Sequence, residues 1–511
     1  MYATIITGGL HGMESYLARV EVDCSKGLPC FEMVGLLGNE VKEARERIRV
    51  ALKNAQLQMP PMRITVNISP ASLHKEGTSY DLPVAAGILV AQGLVPREYV
   101  DNVMIAGELG LGGEVRPVRG ILPMVLEARK QGIRQCIIPA GNLAEAGLIT
   151  DIRITGIERL DSLEGILAGG KGADMPENGG GSPDVRRPEP DFGEVMGQET
   201  AKRAAMAAAA GFHHMLLIGP PGTGKTMLAR CIPSILPPLS ARERMEVASI
   251  YSVAGEGREG ECAGMSRPFI SLHHTVTSHA LIGGGRVPRP GAISLAHRGV
   301  LFLDELPEFG RTTLDLLRQP LEERRVRITR SIGTYCYPAD FMLVGAMNPC
   351  PCGHHPDRDR CRCSDIQVMR YLGRISGPIL DRLDICTQVE QVEFSGLMQE
   401  SGKREEWDSR RLASGVMEAR ARQEYRFRDE GISYNGQMGP AEIKRFCRLG
   451  IAQERYLEQM FHTLELSARA CHRLLRVART LADLEGMERI GKVHLSEAAC
   501  YRMAIGKYWR K

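Results

Sequence analysis

The sequence contains no apolar run that could cross a membrane. Nowhere in its 511 residues do apolar residues continue without interruption for the roughly 18 positions that a transmembrane helix needs. The opening stretch MYATIITGGLHGMESYL has neither the basic segment nor the apolar segment of a secretory signal. We therefore expect no membrane partner and a cytoplasmic location.

A large excess of charge of either sign is also absent. The formal net charge is +4, although 25% of the residues are charged, so the chain as a whole is not a general binder of polyanions. Any nucleic-acid site must then be a local basic patch. The 14 cysteines occur without an export signal, which favours reduced thiols or a metal site over a disulfide framework.

A segment rich in glycine, proline and charge divides the chain. Its composition at 168–190 cannot bury a core, so it predicts a linker. The residues before it, 1–167, alternate strand-like and helix-like patterns and predict a mixed α/β domain. A second change in composition near Glu393 separates a predicted nucleotide-binding core at 191–392 from a predicted helical domain at 393–511.

A phosphate-binding motif occupies residues 219–226. The segment GPPGTGKT fits the pattern G-x-x-x-x-G-K-[ST] in full, between the strand-like MLLIG and the helix-like TMLARCI. Backbone N–H groups of such a loop surround the phosphates of ATP, while Lys225 meets the β- and γ-phosphates and the Thr226 hydroxyl binds Mg²⁺. The alternative is a glycine-rich turn without a ligand. The predicted nucleotide contacts are Gly219, Pro220, Pro221, Gly222, Thr223, Gly224, Lys225, Thr226 and Met227.

Two later strand ends carry polar groups that ATP hydrolysis needs. The apolar strand in GVLFLDELPEF ends in Asp304, predicted to hold Mg²⁺, and Glu305, predicted to be the general base. The strand in DFMLVGAMNP ends at Asn348, whose amide is predicted to position the attacking water. A capped strand end is the alternative for the Asp–Glu pair.

Two arginines are candidates for stabilising charge on the transferred phosphate. Arg382 is predicted to reach the nucleotide of a neighbouring subunit, with a salt bridge to the flanking Asp381 and Asp384 as the alternative. Arg469 is predicted to touch the γ-phosphate from a helical lid. It begins a stripe on a long helix, and the rest of that stripe is equally compatible with a solvated face. The stripe consists of Arg469, Arg473, Arg476 and Arg479.

Four cysteines stand in two close pairs in NPCPCGHHPDRDRCRC. Thiolates in this arrangement suit tetrahedral Zn²⁺, and the polar stretch between the pairs needs a tether because it cannot pack a core. We predict a zinc knuckle at 348–364, with free thiols in a reducing cytosol as the alternative. The predicted ligands are Cys350, Cys352, Cys361 and Cys363.

These motifs together resemble a known family. FEMVGLLGNEVKEARERIRVAL, PRPGAISLAHRGVLFLDELPEF, GAMNPCPCG, SGPILDRLDI and LSARACHRLLRVARTLADL resemble the YifB/ComM group of magnesium-chelatase-like AAA+ ATPases over nearly the full chain. The resemblance implies an α/β protein with a Lon-protease-like (S5-type) front domain, an AAA+ P-loop α/β/α core and a helical lid domain. It also implies a ring, expected to be a homo-hexamer. ComM members act as helicases in branch migration.

The front domain is similar to the Lon-type peptidase fold but lacks its catalytic pair. In those peptidases a serine nucleophile is activated by a lysine, whereas the matching positions here hold Asp81 and Leu122. Leucine cannot act as a base. Lys75 lies near Ser79, but it is not the lysine that the fold supplies. We expect a non-catalytic platform, with an active peptidase as the alternative.

Two segments beyond a minimal ATPase core are predicted to hold DNA. Glycines 283–285 form a tip flanked by Arg286 and Arg289, and EERRVRITRSIGTYCYPADF predicts a hairpin that carries Arg327 and Arg330. Basic loops facing the pore of a ring can hold a phosphate backbone without reading its sequence. The two segments resemble the helix-2 insert and the pre-sensor hairpin of AAA+ helicases. The alternative is that both loops only seal subunit contacts.

The function expected from these features is an ATP-driven DNA motor. An ATPase that remodels a protein or cofactor complex, as in magnesium chelatase, is the second hypothesis. A non-enzymatic DNA-binding scaffold is the third, and Lys225, Asp304 and Glu305 argue against it. ATP hydrolysis measured with and without DNA separates the three.

Overall fold

The computed structural model describes residues 1–57, 59, 61–173, 190–256, 266–330, 333–391 and 407–509. Most of the predicted linker at 168–190 and the start of the predicted helical domain lie outside the described residues. Within these ranges, no helix is both long and apolar enough to cross a membrane.

Strands form two large sheets and three short hairpins among the described residues. The strands are β1 Tyr2–His11, β2 Glu14–Ser25, β3 Cys30–Val34, β4 Arg63–Ser69, β5 Val103–Ile105, β6 Glu108–Leu109, β7 Val115–Arg116, β8 Gln135–Pro139, β9 Arg153–Ile157, β10 Met215–Ile218, β11 Phe269–Leu272, β12 Gly283–Gly284, β13 Arg289–Pro290, β14 Val300–Leu303, β15 Arg325–Arg330, β16 Gly333–Pro338, β17 Met342–Met347 and β18 Ile385–Gln388.

Helices cover both large sheets and make up most of the described C-terminal region. They are α1 Asn39–Asn54, α2 Asp81–Ala91, α3 Ile121–Lys130, α4 Leu143–Ala146, α5 Leu163–Leu167, α6 Glu199–Gly211, α7 Lys225–Ile235, α8 Ala241–Ala254, α9 Ser278–Ile282, α10 Ala292–Leu295, α11 Arg311–Asp315, α12 Arg318–Glu323, α13 Asp365–Leu372, α14 Gly377–Leu380, α15 Ser409–Phe427, α16 Pro440–Phe446, α17 Ile451–Thr463, α18 Ala468–Leu484 and α19 Lys492–Trp509.

The first sheet has the strand order β3-β4-β2-β1-β5-β8-β9 and mixes parallel with antiparallel pairs. Strands β1 and β2 form a long antiparallel hairpin, in register from Tyr2 opposite Asp23 to His11 opposite Glu14. Helix α2 lies beneath them, and all of its residues are buried, as its continuous apolar pattern predicts. The mixed α/β character expected for the front part of the chain is confirmed.

The second sheet is fully parallel, with the order β11-β14-β17-β10-β18. The three central strands, β10, β14 and β17, are short apolar runs in which every residue is buried, as in a sheet covered on both faces. Because parallel strands all end at the same edge, the polar residues that follow them collect there. That carboxyl edge carries the phosphate loop, Asp304 and Asn348.

The two sheet layers are in direct contact through helices and one aromatic pair. The backbone N–H groups of Gly120 and Leu122, at the start of α3, donate to the carbonyl oxygen and hydroxyl of Ser252 in α8, at 2.9 and 3.3 Å. The His11 ring stacks on Tyr335 of β16, with centroids 4.6 Å apart. The front part therefore touches both the ATPase core and its second hairpin.

Candidate ATP site and its surroundings

The phosphate loop joins β10 directly to α7. Gly222 and Gly224 have φ values of +77° and +84°, in the left-handed region that favours glycine. A Cβ on Gly219 would lie 2.2 Å from the carbonyl oxygen of Val389. The glycines of the motif are thus required by the backbone, and the strand–loop–helix context predicted from the sequence is confirmed.

Lys225 lies at the centre of this loop and is buried. Its ammonium group donates hydrogen bonds to the carbonyl oxygens of Gly219 and Pro220, at 2.9 and 2.7 Å, and to Oδ1 of Asn348 at 3.1 Å. Burial lowers the pKa of Lys225 to about 8, although the neighbouring Asp304 and Glu305 act in the opposite direction. A phosphate bound here would favour the protonated lysine, because an opposite charge stabilises the charged form.

Thr226 and Asp304 form the predicted magnesium pair. The Thr226 hydroxyl donates to Oδ2 of Asp304 at 2.8 Å, so one hydroxyl oxygen and one carboxylate face each other where α7 begins and β14 ends. Oxygen ligands of this kind, completed by waters and phosphate oxygens, are what Mg²⁺ takes. The donor set therefore fits the ion.

Glu305 stands beside this pair in an unusual backbone conformation. Its φ is +51°, a left-handed value that costs energy for any residue with a Cβ. Its backbone N–H donates to Oδ1 of Asp304 at 2.9 Å, and its carboxylate is more than half exposed. The side chain lies 3.5 Å from Nδ1 of His274.

The two predicted arginines lie at the other edge of the parallel sheet. Arg469 lines a cavity of about 420 Å³ together with His214 and Asp384, the residues that directly precede β10 and β18. Arg382, two residues before Asp384, is on the same side. Its ion-pair partner Glu322 lines the same cavity, whereas Lys225 follows the opposite end of β10. Contact of Arg469 with a γ-phosphate from a helical lid stays a prediction, and the phosphate loop of its own chain lies at the opposite edge of the sheet.

Arg382 has different partners from the flanking aspartates weighed in the sequence. It forms an ion pair with Glu322 of α12 and donates to the carbonyl oxygen of Pro378 at 2.6 Å. Asp384 instead accepts from Arg473 at 2.7 Å. Buried Nε of Arg382 has no hydrogen-bond partner among the described residues, so its donors are not all satisfied within the chain.

The arginine stripe of α18 is not a solvated face beyond its first residue. Arg469 is exposed, but Arg479 is 3% exposed, donates to the carbonyl oxygens of Met487 and Glu488, and pairs with Asp483 at 3.1 Å. Arg476 donates to the carbonyl oxygen of Gly436. The stripe therefore packs the helical region together, and the apolar residues of the same helix, among them Leu474, Ala478 and Leu481, are buried.

The four predicted zinc ligands converge. Sγ of Cys350 lies 3.3 Å from that of Cys352 and 3.8 Å from that of Cys361, and the last two are 3.6 Å apart. With Cys363, the four sulfur atoms lie within 4.8 Å of one another. Zn–S bonds of about 2.3 Å in a tetrahedron place sulfur atoms roughly 3.8 Å apart. The cluster therefore fits Zn²⁺.

The cysteine cluster packs between the phosphate loop and the last helix. A Cβ on Gly353 would lie 2.4 Å from Cδ of Pro221. Trp509, at the end of α19, belongs to the same apolar cluster as Cys352 and donates to the carbonyl oxygen of Leu372 at 3.0 Å. The knuckle thus touches the phosphate loop and shares an apolar cluster with the last helix.

The two segments predicted to hold DNA both form hairpins and meet. Gly283 and Gly284, predicted to belong to the tip, instead form β12 and pair with β13, so the hairpin turns at 285–288; β15 pairs with β16. The Tyr337 hydroxyl of β16 donates to the carbonyl oxygen of Pro288 at 2.6 Å, which joins the hairpins. Their arginines are exposed: Arg286, Arg289, Arg327 and Arg330.

The positions that match the peptidase catalytic pair are structural here. Asp81 is buried and accepts from Arg47 at 2.8 and 3.0 Å. Leu122 is buried in the apolar layer under the first sheet. Lys75 is buried and donates to the carbonyl oxygens of Pro70 and Leu73. An ion-paired carboxylate and a leucine supply neither a nucleophile nor a base for acyl transfer.

Two features of the nucleotide-binding part of the chain do not correspond to any motif in the sequence. One is the pair His273 and His274, which follows β11 and lies beside Glu305; two adjacent histidines after a strand are the only signal. The other is a cavity of about 1150 Å³ along the edge strand β18, bordered by Gln198, Gln388 and Trp509. It does not include Lys225, so its size alone does not mark the chemistry.

Three family models match the chain. Residues 20–142 match "Subunit ChlI of Mg-chelatase", residues 191–397 match "Magnesium chelatase, subunit ChlI", and residues 406–502 match "Magnesium chelatase, subunit ChlI C-terminal". Together they cover part of the first sheet, all of the second sheet and most of the helical region.

Several curated proteins are similar over almost the whole chain. "Competence protein ComM" of Haemophilus influenzae is 41% identical, covering 97% of this chain and 96% of its own length. "Uncharacterized protein YifB" of Escherichia coli is 42% identical, covering 96% and 95%. "Lon protease 2" of Bacillus subtilis is 26% identical over 49% of this chain and 50% of its own length. The magnesium-chelatase family models imply ATP and Mg²⁺ as ligands. The chain belongs to the YifB/ComM group of magnesium-chelatase-like AAA+ ATPases.

Proposed function

We propose that the chain is a ring-forming motor that couples ATP hydrolysis to movement along DNA, as a helicase or branch-migration enzyme. The observation that carries the proposal is the meeting of two hairpins whose arginines are exposed: Arg286, Arg289, Arg327 and Arg330. Guanidinium groups on adjacent loops suit a phosphate backbone, because they contact charge and not base edges. The name of the ComM relative, a competence protein, is compatible with DNA as the substrate.

The residues at the carboxyl edge divide the work of hydrolysis. Lys225 and the loop N–H groups hold the β- and γ-phosphates, and Thr226 and Asp304 would hold Mg²⁺, which would offset the charge that develops on the phosphate oxygens. Glu305 takes a proton from the water that attacks the γ-phosphorus, and the bond to the bridging oxygen of ADP breaks. Asn348, already bonded to Lys225, orients that water.

The placement of Arg382 and Arg469 supports a ring. Arg469 and Glu322, the ion-pair partner of Arg382, line a cavity at the sheet edge opposite the phosphate loop of their own chain, which favours action on the nucleotide of another subunit. A head-to-tail arrangement brings opposite edges of successive subunits together, and it gives a ring when the rotation between subunits closes. A homo-hexamer is the assembly we propose.

The cysteine cluster is proposed to hold one Zn²⁺. The sulfur spacing supports a closed four-thiolate site, which stabilises a fold and leaves no position for substrate. The cytosol, the proposed location, keeps these thiols reduced. The front part of the chain is proposed to be a non-catalytic platform, because Arg47 neutralises Asp81.

Metal analysis of the purified chain is expected to find about one tightly held zinc, bound by the four-thiolate cluster. Cys352→Ser and Cys361→Ser are expected to lose it and to unfold at a lower temperature, because the polar loop between the cysteine pairs has little core of its own. Cys336→Ser, at an exposed cysteine of β16, is the matched control. A parent protein without zinc would contradict the site.

DNA is expected to accelerate ATP hydrolysis. Arg286→Ala/Arg289→Ala should weaken DNA binding and lower the slope of log affinity against log salt by about 0.7–0.9 for each phosphate that is no longer neutralised. Binding titrations at several salt concentrations and ATPase assays with single-stranded and branched DNA test this. Arg63→Ala/Arg129→Ala, two exposed arginines of the front part, is the control.

The second candidate function is remodelling of a protein or cofactor complex. The family models named for a magnesium chelatase subunit favour it. Such a motor would hydrolyse ATP at one rate with and without DNA, and its hairpin variants would keep that rate. A chain that hydrolyses no ATP would exclude both motors.

A further inference from the structure

We propose that His273, His274 and Glu305 form a site for a zinc-like divalent cation, and that the bound ion blocks ATP hydrolysis by occupying the general base. One potential ligand atom from each of the three residues lies within 4.8 Å of the other two. Two imidazoles and one carboxylate are a known ligand set for zinc and for other divalent transition metals. The proposal rests on the role of Glu305 in the proposed function.

The sheet itself builds this group. Strand β11 runs parallel to β14, with Leu272 opposite Leu303. The residues that follow the two strands therefore emerge side by side, which puts His273 and His274 next to Asp304 and Glu305. The two imidazole rings lie with centroids 3.9 Å apart. The three side chains are thus gathered by backbone pairing and not by a chance surface contact.

The hydrogen bonding around the histidines leaves ligand atoms available. Nδ1 of His274 is buried and has no hydrogen-bond partner among the described residues, although it lies 3.5 Å from Oε2 of Glu305. A buried ring nitrogen without a partner is costly, and a cation between it and the carboxylate would satisfy both. Nδ1 of His273 is 3.2 Å from the Thr275 hydroxyl. This bond fixes the ring, and no hydrogen bond from the described residues engages Nε2, the arrangement found in metal-binding histidines.

The histidine site is separate from the magnesium pair. The two sites are adjacent in the chain, because Glu305 directly follows Asp304. Thr226 and Asp304 bond to each other, while Glu305 faces His274. Mg²⁺ prefers oxygen ligands, whereas imidazole nitrogen suits zinc, so the two positions select different ions. A carboxylate bound to a cation cannot accept a proton from water. Filling the histidine site would therefore stop hydrolysis without displacing the nucleotide.

Calorimetry with Zn²⁺ on chelator-treated, nucleotide-free protein tests binding. The parent is expected to bind one more equivalent than His273→Ala/His274→Ala, and His273→Ala alone should bind at that position at least about tenfold more weakly. His462→Ala, at an exposed histidine of α17, is the matched control and should bind like the parent. The difference between parent and double variant is independent of whether the cysteine cluster is filled. Equal stoichiometry in parent and double variant would overturn the proposal.

ATPase rates at fixed Mg–ATP with buffered free Zn²⁺ test the consequence. Each variant is compared with its own zinc-free rate, so that zinc bound to ATP affects all proteins alike. The parent and His462→Ala are expected to lose ATPase activity as free zinc rises. At the same zinc concentrations, the double variant should hydrolyse ATP at nearly its own zinc-free rate. Zinc binding without this difference in inhibition would overturn the blocking role. A chain with no ATPase activity would refute the proposed function, while calorimetry would still decide the metal site.

Discussion

Replacing Glu305 by glutamine is expected to slow ATP hydrolysis by roughly 10²–10⁴-fold, the range that a general base contributes. Glutamine keeps the size of the side chain but cannot take a proton from water. The groups that hold the nucleotide, Lys225, Thr226 and Asp304, keep their contacts. ATP binding should therefore persist, and a single-turnover assay beside a nucleotide-binding titration on one preparation measures both effects.

Glu308 provides the matched control for this experiment. It is an exposed carboxylate three residues further along, paired with Arg374 at 2.6 Å. Glu308→Gln removes a charge from the same edge of the sheet without touching the Asp304–Thr226 pair. A drop in rate as large as that of Glu305→Gln would mean that the local field, and not proton transfer at Glu305, controls the step.

The carboxyl edge of the parallel sheet was predictable from local sequence. Asp304 and Asn348 each follow a short apolar run, and the end of a buried strand is visible in the composition of a few residues. Since parallel strands end together, three strand ends imply one site. The sulfur cluster was also predictable from local sequence, because its four ligands lie within a short stretch of chain.

The contacts made across the sheet were not predictable in this way. The position of Arg469 depends on how α18 packs against the strand starts at His214 and Asp384, residues far apart in the sequence. The neighbourhood of Glu305 depends on β11 pairing with β14, which no local pattern specifies. Both placements depend on contacts between residues that are far apart in the sequence.

The arginines that follow Arg469 in the stripe show the same limit on charge patterns. Arginines at helical spacing usually indicate a solvated face, but Arg479 pairs with Asp483 and caps the backbone at Met487, after a turn that follows the helix. Arg473 pairs with Asp384, which belongs to another layer. The role of such an arginine depends on the carboxylate or carbonyl group that it contacts, and for Arg473 that group lies far away in the sequence.

Arg382→Ala is expected to lower the ATPase rate by roughly 10³–10⁵-fold, the effect of losing an arginine that stabilises a transferred phosphoryl group. The expectation follows from the pairing of Arg382 with Glu322, which lines the cavity at the edge opposite its own phosphate loop and so favours action on a neighbouring nucleotide. Steady-state ATPase assays measure the loss. Glu322→Gln, which removes the ion-pair partner of Arg382 but keeps the guanidinium, should retain most of the activity.

Mixing two inactive variants separates action between subunits from a loss of folding. Lys225→Ala removes the phosphate ligand and keeps Arg382, whereas Arg382→Ala does the reverse. In rings formed at random from equal amounts, about a quarter of the interfaces pair an intact phosphate loop with an intact arginine from the next subunit. Such mixtures should recover activity that neither variant has alone. If mixtures remain inactive although sedimentation shows mixed rings, Arg382 does not act on the neighbouring nucleotide and serves only its pair with Glu322.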